Sequence, residues 1–279
     1  MSLIYLKNGL MLDENGIWKG AEQQALSYPA EGHSQCLELE DISFWFRHRN
    51  ECIVSAIKQH PPKGCILDVG GGNGYVTRRL LDEGLDASLL EPGPEGALNA
   101  KLNRHIPEVI CTTLEEACFV PESLSAVGCF DVIEHIEDDR DFMEQVHDHL
   151  EPGGLFYATV PAHQGLWSLS DVHAHHYRRY NKRTITKLLE YSGFEVEFFT
   201  YLFSVLTPFI FLFRTLPFMI GQSKKSNVLS ADTEHGSQQG MGSRVMDAFL
   251  HSEFRRLKRG GTLNTGASCL VVARKKDIS

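Results

Sequence analysis

The stretch CILDVGGGNGYVTRRLLDEG, residues 65–84, limits what this chain can fold into more than any other part of it. A short apolar run enters a glycine cluster, and a helical pattern leaves it and stops at Gly84, so the segment reads as strand, tight turn, helix. The same alternation continues downstream. ASLLEP, EVICT, LSAVGCFDVI, GGLFYATVP and FEVEFFTYLF read as strands, while residues 96–104, DRDFMEQVHDHL and KRTITKLLEYSG read as helices. Strands that alternate with helices connect through right-handed crossovers into a largely parallel, twisted sheet covered on both faces. SCLVVARKK supplies a last strand that is reached through an insertion and pairs antiparallel at the FEVEFFTYLF edge. The expected fold is α/β, a doubly wound, mostly parallel seven-stranded sheet whose last strand is antiparallel.

Four segments follow from this pattern. Residues 1–60 are an irregular arm (1–40) and a lid helix (41–60), on which Ile42, Trp45, Phe46, Ile53, Ala56 and Ile57 recur at helical spacing before Pro61-Pro62 stops it. Residues 61–203 form the core, 204–260 an insertion, and 261–279 the last strand of the core. The insertion opens on the apolar run SVLTPFIFLFRTLPFMIG, passes through a polar loop over 222–243 and ends on the amphipathic helix RVMDAFLHSEFRRLKRG. The apolar run is too interrupted by Pro208 and Arg214 for a membrane span. It reads as a wall or lid over an acceptor, ahead of a dimer contact or peripheral contact with a membrane surface.

Composition narrows the class of partner. With 279 residues, 42% of them hydrophobic, the chain is neither disordered nor fibrous, and a net charge of −9 argues against nucleic acid as its main partner. Seven cysteines stand singly without any C-x-x-C pair, so neither a disulfide framework nor a structural zinc site is expected. The first residues carry Lys7, Asp13 and Glu14 where a signal peptide needs an apolar core, which points to a cytoplasmic location.

The glycine turn reads Asp68-Val69-Gly70-Gly71-Gly72-Asn73-Gly74 at the carboxyl end of the first core strand, where open α/β sheets bind ligands. Neither glycine frame satisfies G-x-G-x-x-G, because the sixth position is Tyr75 or Thr77, so a dinucleotide is disfavoured. Asp68 would repel a pyrophosphate and suits a cationic or amino-acid-like ligand. Glu91 ends the next strand, where a carboxylate accepts both hydroxyls of a ribose. A ligand with a ribose, no phosphate and a positive charge fits all three features.

With ILDVGGGNG, SLLEP and FDVIEHIED in these positions, the chain from about residue 41 onward resembles the class I S-adenosylmethionine-dependent methyltransferases. The resemblance implies a Rossmann-like core with S-adenosylmethionine as cofactor and S-adenosylhomocysteine as product. By it Asp68, Gly70 and Gly72 flank the methionine part, Glu91 holds the ribose, and Gly71, Asn73, Gly74 and Pro92 are further cofactor contacts. Phe130 and Asp131 lie beside the methionyl amino group and the sulfonium. After the third core strand the family often has Asp where this chain has Thr113-Leu114, which is assigned to the adenine, the lesser alternative being that Thr113 only starts a turn or helix. The stretch VPAHQGLWSLSDVHAHHYRRYNKRTI resembles a subgroup in which this loop covers the methyl-donor pocket, and so supplies Trp167, Tyr177, Arg178 and Arg179 as acceptor contacts. The two arginines suit an acceptor carboxylate or phosphate as well as they suit structural ion pairs.

Methyl transfer from a sulfonium is an in-line displacement that needs positioning and exclusion of water. If the acceptor is a hydroxyl, an imidazole can take its proton, and the candidates are His135, His176 and His163. His135 stands first by proximity to Asp131, and packing or capping is its equally weighted alternative. Asp171, His173, His175 and His176 lack the helical spacing of a metal site, so no metal is expected. The resulting expectation is a methyltransferase acting on a small molecule. Its rivals are a cofactor-binding scaffold without turnover and an enzyme acting on RNA or protein.

Overall fold

The computed structural model describes residues 9–20, 37, 39–221 and 241–276. In chain order these form β1 (Met11–Leu12), β2 (Trp18–Lys19), α1 (Phe44–Gln59), β3 (Ile66–Val69), α2 (Tyr75–Asp82), β4 (Ala87–Leu90), α3 (Pro94–Leu102) and β5 (Val109–Cys111). They continue as β6 (Leu124–Phe130), α4 (Asp139–His149), β7 (Leu150–Pro161), α5 (Leu169–His173), α6 (Lys182–Tyr191), β8 (Phe194–Leu202), α7 (Met241–Lys258) and β9 (Ser268–Lys275).

The sheet order is β1-β2-β5-β4-β3-β6-β7-β9-β8. From β5 to β7 the strands are parallel, and β9 runs antiparallel to both of its neighbours, β7 and β8. The seven expected strands are present, and two more come from the N-terminal arm. Its residues 11–19, expected to be irregular, make a small hairpin whose second strand pairs in parallel with β5 and extends the sheet to nine strands. Asp13 closes this hairpin by accepting backbone N–H bonds from Asn15 and Ile17, a local Asx-type turn that apolar periodicity does not register. The polar loop expected over 222–243 lies, as far as residue 240, outside the described residues.

The alternation of side chains across each strand explains the two-faced core. Leu67, Val127, Phe156 and Val271 point to one face and meet Met143 and Val146 of α4 and Ile185 and Leu189 of α6. Their neighbours Ile66, Ala126, Tyr157 and Val272 point to the other and meet Ile53 and Ile57 of α1, Val76 and Leu80 of α2, and Leu250 and Leu257 of α7. The second half of the helix read as a lid is therefore a layer of the core. Its first half carries the buried polar residues His48, Arg49 and Asn50 towards the ligand end of the sheet.

The chain passes from β3 to β4 and β5 on one side, then returns to place β6 on the other side of β3. The strand order thus switches between β3 and β6, and the loops leaving these two strands, Gly70 onward and Asp131 onward, border the crevice where such sheets bind ligands. The apolar run is helical in three consecutive stretches, Thr207–Ile210, the π-helical Phe211–Thr215 and Leu216–Met219. Thr215 is buried and donates to the Leu166 carbonyl at 3.1 Å, which seats the segment on the loop that follows β7. No described helix is long and apolar enough to cross a membrane.

Candidate functional site

Asp68 occupies the third position of β3 and is fully buried, with Oδ2 accepting from the Thr77 hydroxyl at 2.6 Å. Its Oδ1 is buried with no hydrogen-bond partner among the described residues. Burial pushes this carboxyl up to about 6, against the Thr77 bond and the Arg49 charge that favour ionisation. The turn then runs through Gly70 at φ +70°, where a Cβ would stand 2.9 Å from Val132 Cγ2. Gly70→Ala is expected to cost about 1–2 kcal/mol, since an L side chain is strained there and also meets β6's exit loop. An unchanged midpoint of thermal unfolding would contradict this account.

Glu91 follows β4 and folds back under the glycine turn. Its Oε2 accepts from the Gly72 N–H at 2.8 Å and its Oε1 from the Gly93 N–H at 2.7 Å. Burial raises its carboxyl to about 7, with the two N–H bonds pulling the other way. Pro92 is part of the same turn. Asn73 binds it to its surroundings, donating to Glu40 at 3.3 Å and accepting from Asn99 at 3.1 Å. The two residues assigned to the adenine are placed differently: the Thr113 hydroxyl accepts from the Glu116 N–H at 3.2 Å, and Leu114 is buried in the hydrophobic core.

At the end of β6, Phe130 is buried against Gly128 on the α1 face. Asp131 takes φ +60°, an unusual backbone for a non-glycine residue that is found at functional sites. Its Oδ1 accepts from the Thr159 hydroxyl at 2.9 Å, and its Oδ2 is ion-paired with Arg49 of α1. Arg49 escaped the sequence reading. It is buried and its charge acts on Asp68, Glu40 and Glu134 as well as on Asp131. The only signal available in the sequence was an arginine in the middle of an otherwise core-facing helix.

The loop after β7 brings the histidines into view. His135 and His176 meet edge to face, with ring centroids 4.7 Å apart, beside the buried Glu134. Burial first, and then the nearby His176, lower His135 to about 4, so its ring is neutral. The His176 Nδ1 lies 3.0 Å from Asp171 Oδ1, and Asp171 also accepts from Arg179 Nε at 2.6 Å and the Ser168 N–H at 2.8 Å. Although burial raises its carboxyl, these bonds hold Asp171 down to about 2. His163 is apart from the pair, stacked on Tyr201 at 4.8 Å.

Both arginines proposed as acceptor contacts are engaged within the protein, which favours their structural alternative. Arg178 pairs with Asp139 at 2.8 Å, and Arg179 is tied to Asp171 and to the Ala162 carbonyl at 3.0 Å. Trp167 is half-buried and Tyr177 is exposed. His173 and His175, grouped by sequence with His176, are exposed.

A family model described as a methyltransferase domain matches residues 41–197, more than half of the chain. The chain belongs to this family, the class I S-adenosylmethionine-dependent methyltransferases. It is 29% identical over 180 residues to a protein of Mycolicibacterium smegmatis named as a probable S-adenosylmethionine-dependent methyltransferase, covering 61% of this chain and 66% of that one. It is 26% identical over 115 residues to a ubiquinone biosynthesis O-methyltransferase of Photorhabdus laumondii, covering 39% and 48% respectively. The chain thus spans about half to two-thirds of these relatives' length, 48% of one and 66% of the other. Among solved structures it shares its fold with phosphoethanolamine N-methyltransferase 2 of Haemonchus contortus in complex with S-adenosyl-L-methionine, at a TM-score of 0.53 and 20% identity over 90% of this chain and 58% of that one.

Proposed function

We propose that this protein transfers a methyl group from S-adenosylmethionine to a small-molecule acceptor. The observation that carries this reading is the convergence at the switch point of Asp68, with an unpartnered buried oxygen, Glu91 beneath the glycine turn, and the Arg49–Asp131 pair. These groups complement a zwitterionic amino acid joined to a nucleoside. Glu91 accepts the ribose hydroxyls, and Asp68 and Asp131 face the methionyl ammonium. Arg49 takes the methionyl carboxylate, and Thr113 with Leu114 marks the turn for the adenine.

The transfer is an in-line displacement: the acceptor atom attacks the sulfonium methyl, the S–CH3 bond breaks, and S-adenosylhomocysteine and a proton leave. The protein's share is to hold donor and acceptor in line and keep water out. The acceptor lies on the side of His135 and His176, under a wall formed by the loop after β7 and the apolar segment seated on it by Thr215. Phe209, Phe211 and Phe213 on that segment suit an apolar molecule, and one relative is a ubiquinone biosynthesis O-methyltransferase.

Titration calorimetry with S-adenosylmethionine, S-adenosylhomocysteine and NADH, followed by an assay of S-adenosylhomocysteine release, tests the reading. Saturable binding of the two adenosyl ligands alone, with turnover on small apolar hydroxylated acceptors, is expected. Binding without turnover on any acceptor would favour a scaffold, and turnover only on RNA or protein would replace the acceptor class.

A further inference from the structure

We propose that Glu134, His135 and His176 form a site for a divalent cation of the zinc, cobalt, manganese or iron type on the acceptor side of the methyl-donor pocket. One carboxylate oxygen and two imidazole nitrogens from these residues all lie within 4.8 Å of one another. They come from two separate parts of the chain, the 3-10 turn Ile133–His135 after β6 and the loop after α5, so no local sequence spacing announces them.

Three observations point to a ligand rather than to packing. Glu134 is 1% exposed, and its Oε2 has no hydrogen-bond partner among the described residues. An unpartnered oxygen of a carboxylate in that position is costly to bury; Arg49 and Arg179 act on Glu134 only through space, and a cation is the partner that bonds the free oxygen directly. The His176 imidazole, moreover, has an anchor: its Nδ1–H donates to Asp171 at 3.0 Å. That bond sets the tautomer in which Nε2 of His176 carries the lone pair, the arrangement found behind metal-bound histidines. Finally, Asp171 is itself immobilised by Arg179 and by the Ser168 N–H and hydroxyl, so the support is rigid.

Two imidazole nitrogens and one carboxylate oxygen select borderline transition ions over Mg2+ or Ca2+, which prefer all-oxygen shells. Asp131 is occupied by Arg49 and Thr159 and is not counted as a ligand. Three protein ligands leave positions open for water or an acceptor oxygen. Binding of the cation stands by itself, whereas its use in presenting an acceptor hydroxyl to the methyl donor rests on the methyl-transfer reading.

The experiment takes the full chain, strips it with a chelator, and titrates it by calorimetry with Zn2+, Mn2+ and Mg2+, with Co2+ absorption reporting the ligand field. One Zn2+ or Co2+ per chain is expected, bound more tightly than Mg2+. Affinity should fall about tenfold or more in Glu134→Gln and His176→Gln, which keep side-chain volume, and about 10–100-fold in Asp171→Asn, which removes the charge behind His176 and Arg179 but none of the three ligands. S-adenosylmethionine affinity and thermal midpoint, read on the same samples, establish that each variant is folded and separate a failure here from a failure of the methyl-transfer reading. Folded, cofactor-binding protein that takes up no stoichiometric Zn2+ or Co2+ would overturn the proposal. So would equal affinity in the Glu134 and His176 variants.

Discussion

Replacing Glu91 by glutamine is expected to weaken S-adenosylmethionine binding about 100-fold. Two hydroxyls donating to a buried carboxylate contribute about 1.5 kcal/mol each or more, and ~3 kcal/mol is a factor near 100 in affinity. The pH dependence makes this prediction specific. In the ligand-free protein burial holds the Glu91 carboxyl at about 7 and the Asp68 carboxyl at about 6, both above the ordinary carboxylate range. Hydroxyl donors and an ammonium need the ionised forms, so affinity should rise as pH climbs from 5 to 7 and level off above, with release of protons on binding in that window. The variant should lose the part of this slope that belongs to Glu91.

The same two groups act on stability with the opposite sign. Because the folded protein binds their protons more tightly than the unfolded chain, their contribution is fully present below the ordinary carboxylate range and is lost as pH rises through about 6 to 7. Calorimetry at five pH values, with thermal unfolding of ligand-free wild type and Glu91→Gln side by side, checks both signs. A pH-independent affinity in wild type would remove Glu91 and Asp68 from the ligand's surroundings.

Glu253→Ala is expected to destabilise the fold by about 3 kcal/mol or more, the loss typical of breaking a buried charged network. Glu253, on α7, lies 2.9 Å from His48 Nε2 on α1 and accepts from the Phe203 N–H at 2.6 Å and the Ser204 N–H and hydroxyl at 3.0 and 2.9 Å. It thereby joins the insertion helix, the helix before the core and the exit of β8, where Phe203 is held at φ +61° and stacks on Trp45 at 3.6 Å. Burial alone would raise this carboxyl, but the His48 bond and the two backbone N–H groups bring it below its ordinary value. Its contribution is therefore present above the usual carboxylate range and is lost as pH falls through it. Urea unfolding at pH 7 should show the midpoint falling with little change in slope, and a change within ~0.5 kcal/mol, as at an ordinary surface position, would contradict the assignment.

Much of this protein could be read before any coordinates. Strand and helix alternation, the glycine turn after Asp68, the carboxylate at the end of the next strand, and the antiparallel last strand are all written in spacings of a few residues. Local periodicity records which way each side chain faces, and that is enough to specify the sheet and its ligand-binding end. The β1–β2 hairpin escaped because it is two strands of two residues each, too short for a period to show. Arg49 lies 82 residues from Asp131, His48 lies 205 from Glu253, and Glu134 with His135 lies some 40 before His176. The same charged residues read as acceptor contacts, Arg178 and Arg179, turned inward to Asp139 and Asp171. By itself the sequence determined the layers of the fold and where the cofactor end of the sheet lies. Which polar side chains face one another across that end was decided only by tertiary structure, since the partners of a buried charge are chosen by which loops the closed sheet brings together.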